Sequence, residues 1–218
     1  MLLLYCMLPS EGPPASTPAP GVRGAEVLAV GDDPQCLYSS LAAFETSDPA
    51  QLKEDALAFF SVVNAALQRA AVIPFRFPTL LPDKVALEGF LTEHGATYAA
   101  ELDRLRGTVQ MNISLPSPAA QPDRTSGTSY LQSKRTDQAA TAELIQRIQR
   151  AAPARAWKHD RAPGAADSGD MLHALIDRTD IAEFRQTVRT VLERDAPQAH
   201  VSGPWPPTAF INCYPDLH

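Results

Sequence analysis

The chain has 218 residues, with 19 basic and 25 acidic side chains and a net charge of −6. This length allows one large domain or two small ones, and such a chain buries about 70% of its unfolded surface. With 44% apolar and 20% charged residues, the composition excludes a fully disordered or fibrous chain, and the acidic balance argues against nucleic-acid binding, which needs a basic face.

Cys6, Cys36 and Cys213 are widely spaced and odd in number. They form neither a secreted disulfide framework nor a zinc-ligand spacing. The longest basic stretches, Lys134-Arg135 and Arg155 to Arg161, read as solvated surface. The apolar start, Met1 to Leu8, lacks a basic leader and runs into Pro9, which makes it a poor signal peptide. No apolar run approaches the ~20 residues of a membrane span.

In chain order, Leu2 to Leu8 is the first expected strand. Pro9 to Gly21 is a loop rich in Pro, Ser and Gly. Ala25 to Val30 and Cys36 to Phe44 read as strands around the turn Gly31-Asp32-Asp33-Pro34. A helix follows, with Asp48 as its cap, Pro49 at its first position and Gln51 three residues after the cap. Leu52, Ala56, Phe59, Val63, Ala66 and Ala70 form its apolar stripe, widened by Phe60 and Leu67. Val72 to Thr79 is apolar and bounded by prolines, so it is expected as an edge strand or a kinked one. A second helix is expected from about Pro82 to Arg106. Val85, Phe90, Leu91, Tyr98, Leu102 and Leu105 supply its apolar side, with a bend near Gly95.

In the second half, Val109, Met111, Ile113 and Leu115 alternate with Gln110, Asn112 and Ser114, which predicts a strand with one wet face. Pro116 to Thr128 is a loop. Asp137 is the expected cap of a helix carrying Ala140, Leu144 and Ile148. Arg155 to His159 and Met171 to Ile176 are strands around a loop at Ala162 to Gly169. Asp180 and Glu183 form a capping box for a helix with Ile181, Phe184, Val188 and Val191 on one face. Ala199 to Ser202 is the last strand. Strand, helix, strand, strand, helix, strand is the order of a ferredoxin-like βαββαβ domain.

Chemistry-bearing motifs are sparse. His94, His159, His173, His200 and His218 are scattered, and no nucleotide-binding, hydrolase or metalloprotease motif occurs. His173 lies in an expected strand and reads as outward-facing. Asp167, Asp170 and Asp177 read as turn residues, since their spacing does not match an EF-hand loop. No basic neighbour activates Cys213. Arg76, the one charge in an apolar strand, is either an ion-pair or interface anchor, or a solvated edge residue that discourages edge pairing. Gly127 to Lys134 opens a helix; its glycine and hydroxyls suit either a phosphate cradle or an ordinary cap.

Three segments, in order, carry a family resemblance. Val72-Ile73-Pro74-Phe75-Arg76-Phe77-Pro78-Thr79 is similar to a Leu-Pro-x-Arg-Phe-Gly-Thr segment. Gly127-x-x-Tyr130-Leu131-x-x-Lys134 is similar to Gly-x-x-Tyr-Leu-x-x-Lys. Gly203-Pro204-Trp205-Pro206-Pro207 with Phe210 is similar to a terminal Gly-Pro-Trp-Pro-Pro-Tyr-x-Phe. On these the chain resembles the gas vesicle synthesis proteins GvpL/GvpF. Pro78 stands where the family has glycine, and Thr208 where it usually has tyrosine.

The resemblance implies an α+β chain of two small domains, 1–106 and a ferredoxin-like 107–202, with a Pro/Trp-rich tail, 203–218, packing on the domains. It also implies a non-enzymatic accessory protein of gas vesicle assembly, cytoplasmic and at the vesicle. Such a protein needs no cofactor and binds the small hydrophobic shell protein and other vesicle proteins. The alternative functions are a ligand-binding or regulatory ferredoxin-like module, or an enzyme with an unrecognised site. Prolines 204, 206 and 207 stiffen the tail, so docking it orders little additional chain. The tail then either packs back across the two domains or presents Trp205 as an interface anchor.

Overall fold

The computed structural model describes residues 1–10, 20–45, 47–115, 127–161 and 169–212, except for the side chains of 127–138 and of Arg161. The expected loops at 9–21, 116–128 and 162–169 lie largely outside the described residues, and Cys213 and His218 wholly so. The fold is α+β, with two four-stranded sheets and four α-helices among the described residues. It divides into two compact units: Met1–Thr108 together with the chain from Trp205 onward, and Val109–Pro204.

In the first unit the sheet runs in the order β2-β3-β1-β4. Its strands are β1 (Leu2–Leu8), β2 (Leu28–Val30), β3 (Gln35–Ser40) and β4 (Ile73–Leu81). Strand β1 pairs antiparallel with both β3 and β4, between which it lies, and β2 pairs antiparallel with β3. Every residue of β1 is buried, so both faces of the sheet are covered. Helices α1 (Pro49–Leu67) and α2 (Lys84–Arg104) supply the cover. Phe59 of α1 stacks on Tyr5 at 5.3 Å between ring centroids, and Phe90 of α2 meets Phe75 edge-on at 5.8 Å.

The Asp48 side chain caps α1 by accepting from Ala50 N at 2.9 Å. Gln51 does not close a capping box; its amide donates to the buried Asp55 at 3.0 Å. The buried stripe of α1 is Phe59, Val62, Val63, Ala66 and Leu67. Phe60 is 52% exposed and Val85, at the start of α2, 76% exposed. Phe60 lies one helical step, 100°, from the buried Phe59, whereas Val85, two residues before the buried Leu87, falls on the opposite side of α2. Helix α2 runs without a break through Gly95, whose buried position beside Pro34 takes up the low helix propensity of glycine.

A polar knot closes this unit. Val22 N donates to the Tyr5 hydroxyl at 2.9 Å, which bonds Ser39 Oγ at 3.0 Å, and Ser39 donates to Glu26 O at 2.7 Å. A Cβ on Gly21 would lie 2.5 Å from that hydroxyl, so only glycine fits there. Arg23 donates twice to the fully buried Asp55, at 3.1 and 3.0 Å, and lies over the Phe44 ring.

In the second unit the elements are β5 (Thr108–Leu115), α3 (Gly127–Ala151), β6 (Ala156–Arg161), β7 (Asp170–Asp177), α4 (Ile181–Asp195) and β8 (His200–Trp205), with sheet order β6-β7-β5-β8. Val109, Met111, Ile113 and Leu115 of β5 are buried, as are Leu172, Ala174 and Ile176 of β7. Phe184, Val188 and Leu192 of α4 and Ile145, Ile148 and Ala152 at the end of α3 complete the core. Trp157 lies 5.8 Å from Phe184, and Arg147 of α3 bonds Asp195 of α4 at 2.7 Å.

Three expectations fail here. Helix α3 begins ten residues before Asp137, which therefore lies inside it and not at its N-terminus; Ala140 is exposed and Ile145 is buried in the stripe. The capping box at Asp180 is absent, because the 3-10 turn Arg178–Asp180 leaves Asp180 outside the extended conformation a cap needs. Its carboxylate accepts from Thr179 Oγ1 at 2.8 Å instead. Finally, the polar face of β5 is wet only in part: Gln110 is 3% exposed, while Asn112 and Ser114 are half-buried.

Candidate functional site

The first motif forms a bulge on an edge strand. Cys6 pairs with Pro74 and Leu4 with Thr79, so Tyr5 alone faces Phe75, Arg76, Phe77 and Pro78. Thr79 Oγ1 donates to Arg76 O at 2.6 Å across this bulge. Phe77 points inward, with its ring 5.2 Å from Phe59 and 5.8 Å from Phe44. Arg76 is exposed at the apex. Pro78, which has no N–H to offer a ladder, stands within the bulge, where the pairing is already interrupted. The arrangement anchors one aromatic residue and displays one cation along an edge.

The second motif occupies the first two turns of α3. The side chains of Gly127, Tyr130, Leu131 and Lys134 lie outside the described residues, so no phosphate cradle is drawn from them.

The third motif forms the tail. Gly203 has φ 122, a conformation that only glycine adopts without strain, and its carbonyl accepts from Arg185 at 2.6 Å. Pro206, Pro207, Phe210 and Ile211 are buried, around a 3-10 turn at Thr208–Phe210. Trp205 is 40% exposed. Thr208 is also exposed, so the family's tyrosine at this place is not needed to fill a buried space.

Two residues the sequence reading missed hold the tail. Arg104 donates to Phe210 O at 2.6 Å, and Asn212 N donates to Glu101 at 2.8 Å. Arg104 and Glu101 also pair with each other, through bonds of 2.8 and 2.6 Å. Glu101 is 8% exposed, and its carboxyl is held below the usual range. The Arg104 hydrogen bond is the main cause, opposed by desolvation and aided by Asn212 N. The signal available in sequence was a Glu and an Arg at i,i+3 near a helix end, a spacing that usually means a surface ion pair.

His173 is neither outward-facing nor alone. Its Nδ1 lies 2.8 Å from Asn112 Oδ1 and 3.2 Å from Gln110 Nε2, and its Nε2 lies 3.1 Å from Asp160. Asp170 and Asp177 mark the two ends of β7 and pair with His159 and Arg155. Among the described residues no group of three or more His, Cys, Asp or Glu side chains could hold a metal ion. Cys6 and Cys36 are buried free thiols, and burial pushes Cys6 up to about 12. No helix is long and apolar enough to cross a membrane among the described residues.

These features define a class: an α+β chain of two sheet units whose distinctive residues gather on an edge-strand bulge and a docked tail. The family description "Gas vesicle synthesis protein GvpL/GvpF" matches residues 1–212, and the chain belongs to that family. The fold is similar to that of the gas vesicle protein GvpF from Anabaena sp. PCC7120, with a TM-score of 0.78 at 13% identity over 98% of this chain and 96% of the other. It is also similar to GvpF from Microcystis aeruginosa, with a TM-score of 0.71 at 14% identity over 96% of this chain and 98% of that one. No curated protein sequence matches the chain.

Proposed function

We propose that the chain is a non-enzymatic accessory protein of gas vesicle assembly, acting in the cytoplasm at the growing vesicle and binding the small hydrophobic shell protein and other vesicle proteins. The observation that carries this reading is the family match, which runs from residue 1 to 212 through both units. Two surfaces suit an apolar partner. One is the β4 edge with Arg76 displayed on its bulge. The other is Trp205, a large amphipathic ring left 40% exposed where the tail turns inward.

The same proposal takes the second unit as a ferredoxin-like domain, supported by its βαββαβ order and its sheet order β6-β7-β5-β8. Domain limits at 106/107 and 202/203, and a tail that braces the domains, belong to it too. The test is co-purification of the tagged full-length chain with co-expressed shell protein. Shell protein should elute with the chain, and Trp205→Ala should lower its recovery ~10-fold or more without altering the circular dichroism. Clean failure to retain the shell protein or any other vesicle component would overturn the proposal.

A further inference from the structure

We propose that the Glu101–Arg104 pair and the apolar seat beside it are a peptide-docking site of the first unit, which accepts the tail of a second copy of this chain in place of its own. The inference does not depend on the vesicle reading. It starts from what the pair recognises. Arg104 bonds the carbonyl of Phe210 and Glu101 the amide of Asn212, both main-chain atoms. Such bonds read the main chain as it leaves the 3-10 turn, regardless of its side chains. Selection then falls to Pro206, Pro207, Phe210 and Ile211, all four buried. Main-chain bonds combined with seats for a few apolar side chains are the working parts of a peptide-recognition groove.

The tail reaches this groove only after the whole of Val109–Pro204 has intervened. Its occupancy is therefore a tethered binding event, set by an effective concentration, and a second copy can compete for it. The tail of another copy carries the same donors, acceptors and apolar residues, so it fits by identity of sequence. Exchange of a terminal element between copies is a low-cost route to self-association.

The experiment uses the full-length chain in light and heavy-nitrogen forms. Both carry Thr208→p-benzoylphenylalanine, at an exposed tail position. The two forms are incubated together and, in parallel, unfolded and refolded together, then illuminated over a range of concentrations. Mass spectrometry should find mixed-isotope links joining the tail of one copy to α2 of the other, rising with concentration. Links confined to single-isotope chains at every concentration, or mixed links that avoid α2, would overturn the proposal. Arg104→Ala removes a side chain that is 42% exposed, which the fold should tolerate, and should cut the mixed-link yield roughly tenfold. An unchanged yield would remove the pair from the site.

Discussion

The carboxylate of Glu101 works as an acceptor shared between Arg104 and the Asn212 amide, in a nearly buried place. Because Arg104 holds its pKa below the ordinary carboxylate value of about 4.3, folding is linked to its ionisation. The folded state binds this proton less readily than the unfolded chain. The stabilisation is therefore complete above the ordinary value and is lost as pH falls through the depressed one. In urea titrations from neutral to acid pH, the wild type should lose this contribution below about pH 4.3, and Glu101→Gln should show a shallower acid decline. Equal acid slopes for the two proteins would contradict the clamp. At neutral pH, Glu101→Ala should cost about 1–3 kcal/mol, since it strands the Asn212 amide and the Arg104 guanidinium.

Arg23 offers a second test at this scale. It is the partner of an Asp55 that is only 1% exposed. Arg23→Ala leaves that carboxylate buried beside Gln51 alone and should lower stability by about 3 kcal/mol, read as a lower urea midpoint at unchanged slope. A loss under about 0.5 kcal/mol, the range of ordinary surface changes, would show that the ion pair does not hold the turn to α1.

At the scale of elements, what periodicity reports was legible and what register reports was not. The strand at Leu2 to Leu8, the cap at Asp48 and the alternation of β5 all follow from spacing. The misreadings have separate physical causes. Phe60 is one helical step off the buried stripe of α1, a difference too small for an apolar count to resolve, and Val85 sits in the first turn of α2, before its first buried residue, Leu87. A 3-10 turn ahead of α4 displaced the cap at Asp180. Gln110 is buried with its amide donating to Asn112 and lying 3.2 Å from His173 Nδ1 on β7, a neighbour 63 residues away in sequence.

The β4 segment was readable as an edge strand. Its four-against-one bulge opposite Tyr5 depends on pairing with β1 and has no local mark. Glu101 and Arg104, which bond the chain at Asn212 and Phe210, lie 111 and 106 positions from those partners, a separation no local pattern marks. The difference between stripe and surface on α1 can be measured. Phe59→Ala should cost about 3–5 kcal/mol through the cavity it leaves. Phe60→Ala should cost no more than about 1.5 kcal/mol, chiefly its edge-on ring contact at 5.6 Å. Similar losses for both would mean that Phe60 is a core residue after all.

For the whole molecule, the described residues form two sheet units, and the chain from Trp205 onward belongs to the first. Its membership of the GvpL/GvpF family places it with gas vesicle synthesis. The exposed Arg76 and Trp205 are where we place its contacts with vesicle proteins. The most direct measurement is complementation. A gas vesicle gene cluster lacking its own L/F-family gene is supplied with this chain, with the Trp205→Ala variant, or with an empty vector. Gas-filled vesicles are scored by light scattering that collapses under applied pressure. The account predicts pressure-sensitive scattering with the wild type, a marked loss with Trp205→Ala at equal expression, and none with the empty vector. Vesicles that form equally well without the chain, or a well-expressed chain that restores none together with shell protein that never co-purifies with it, would contradict it.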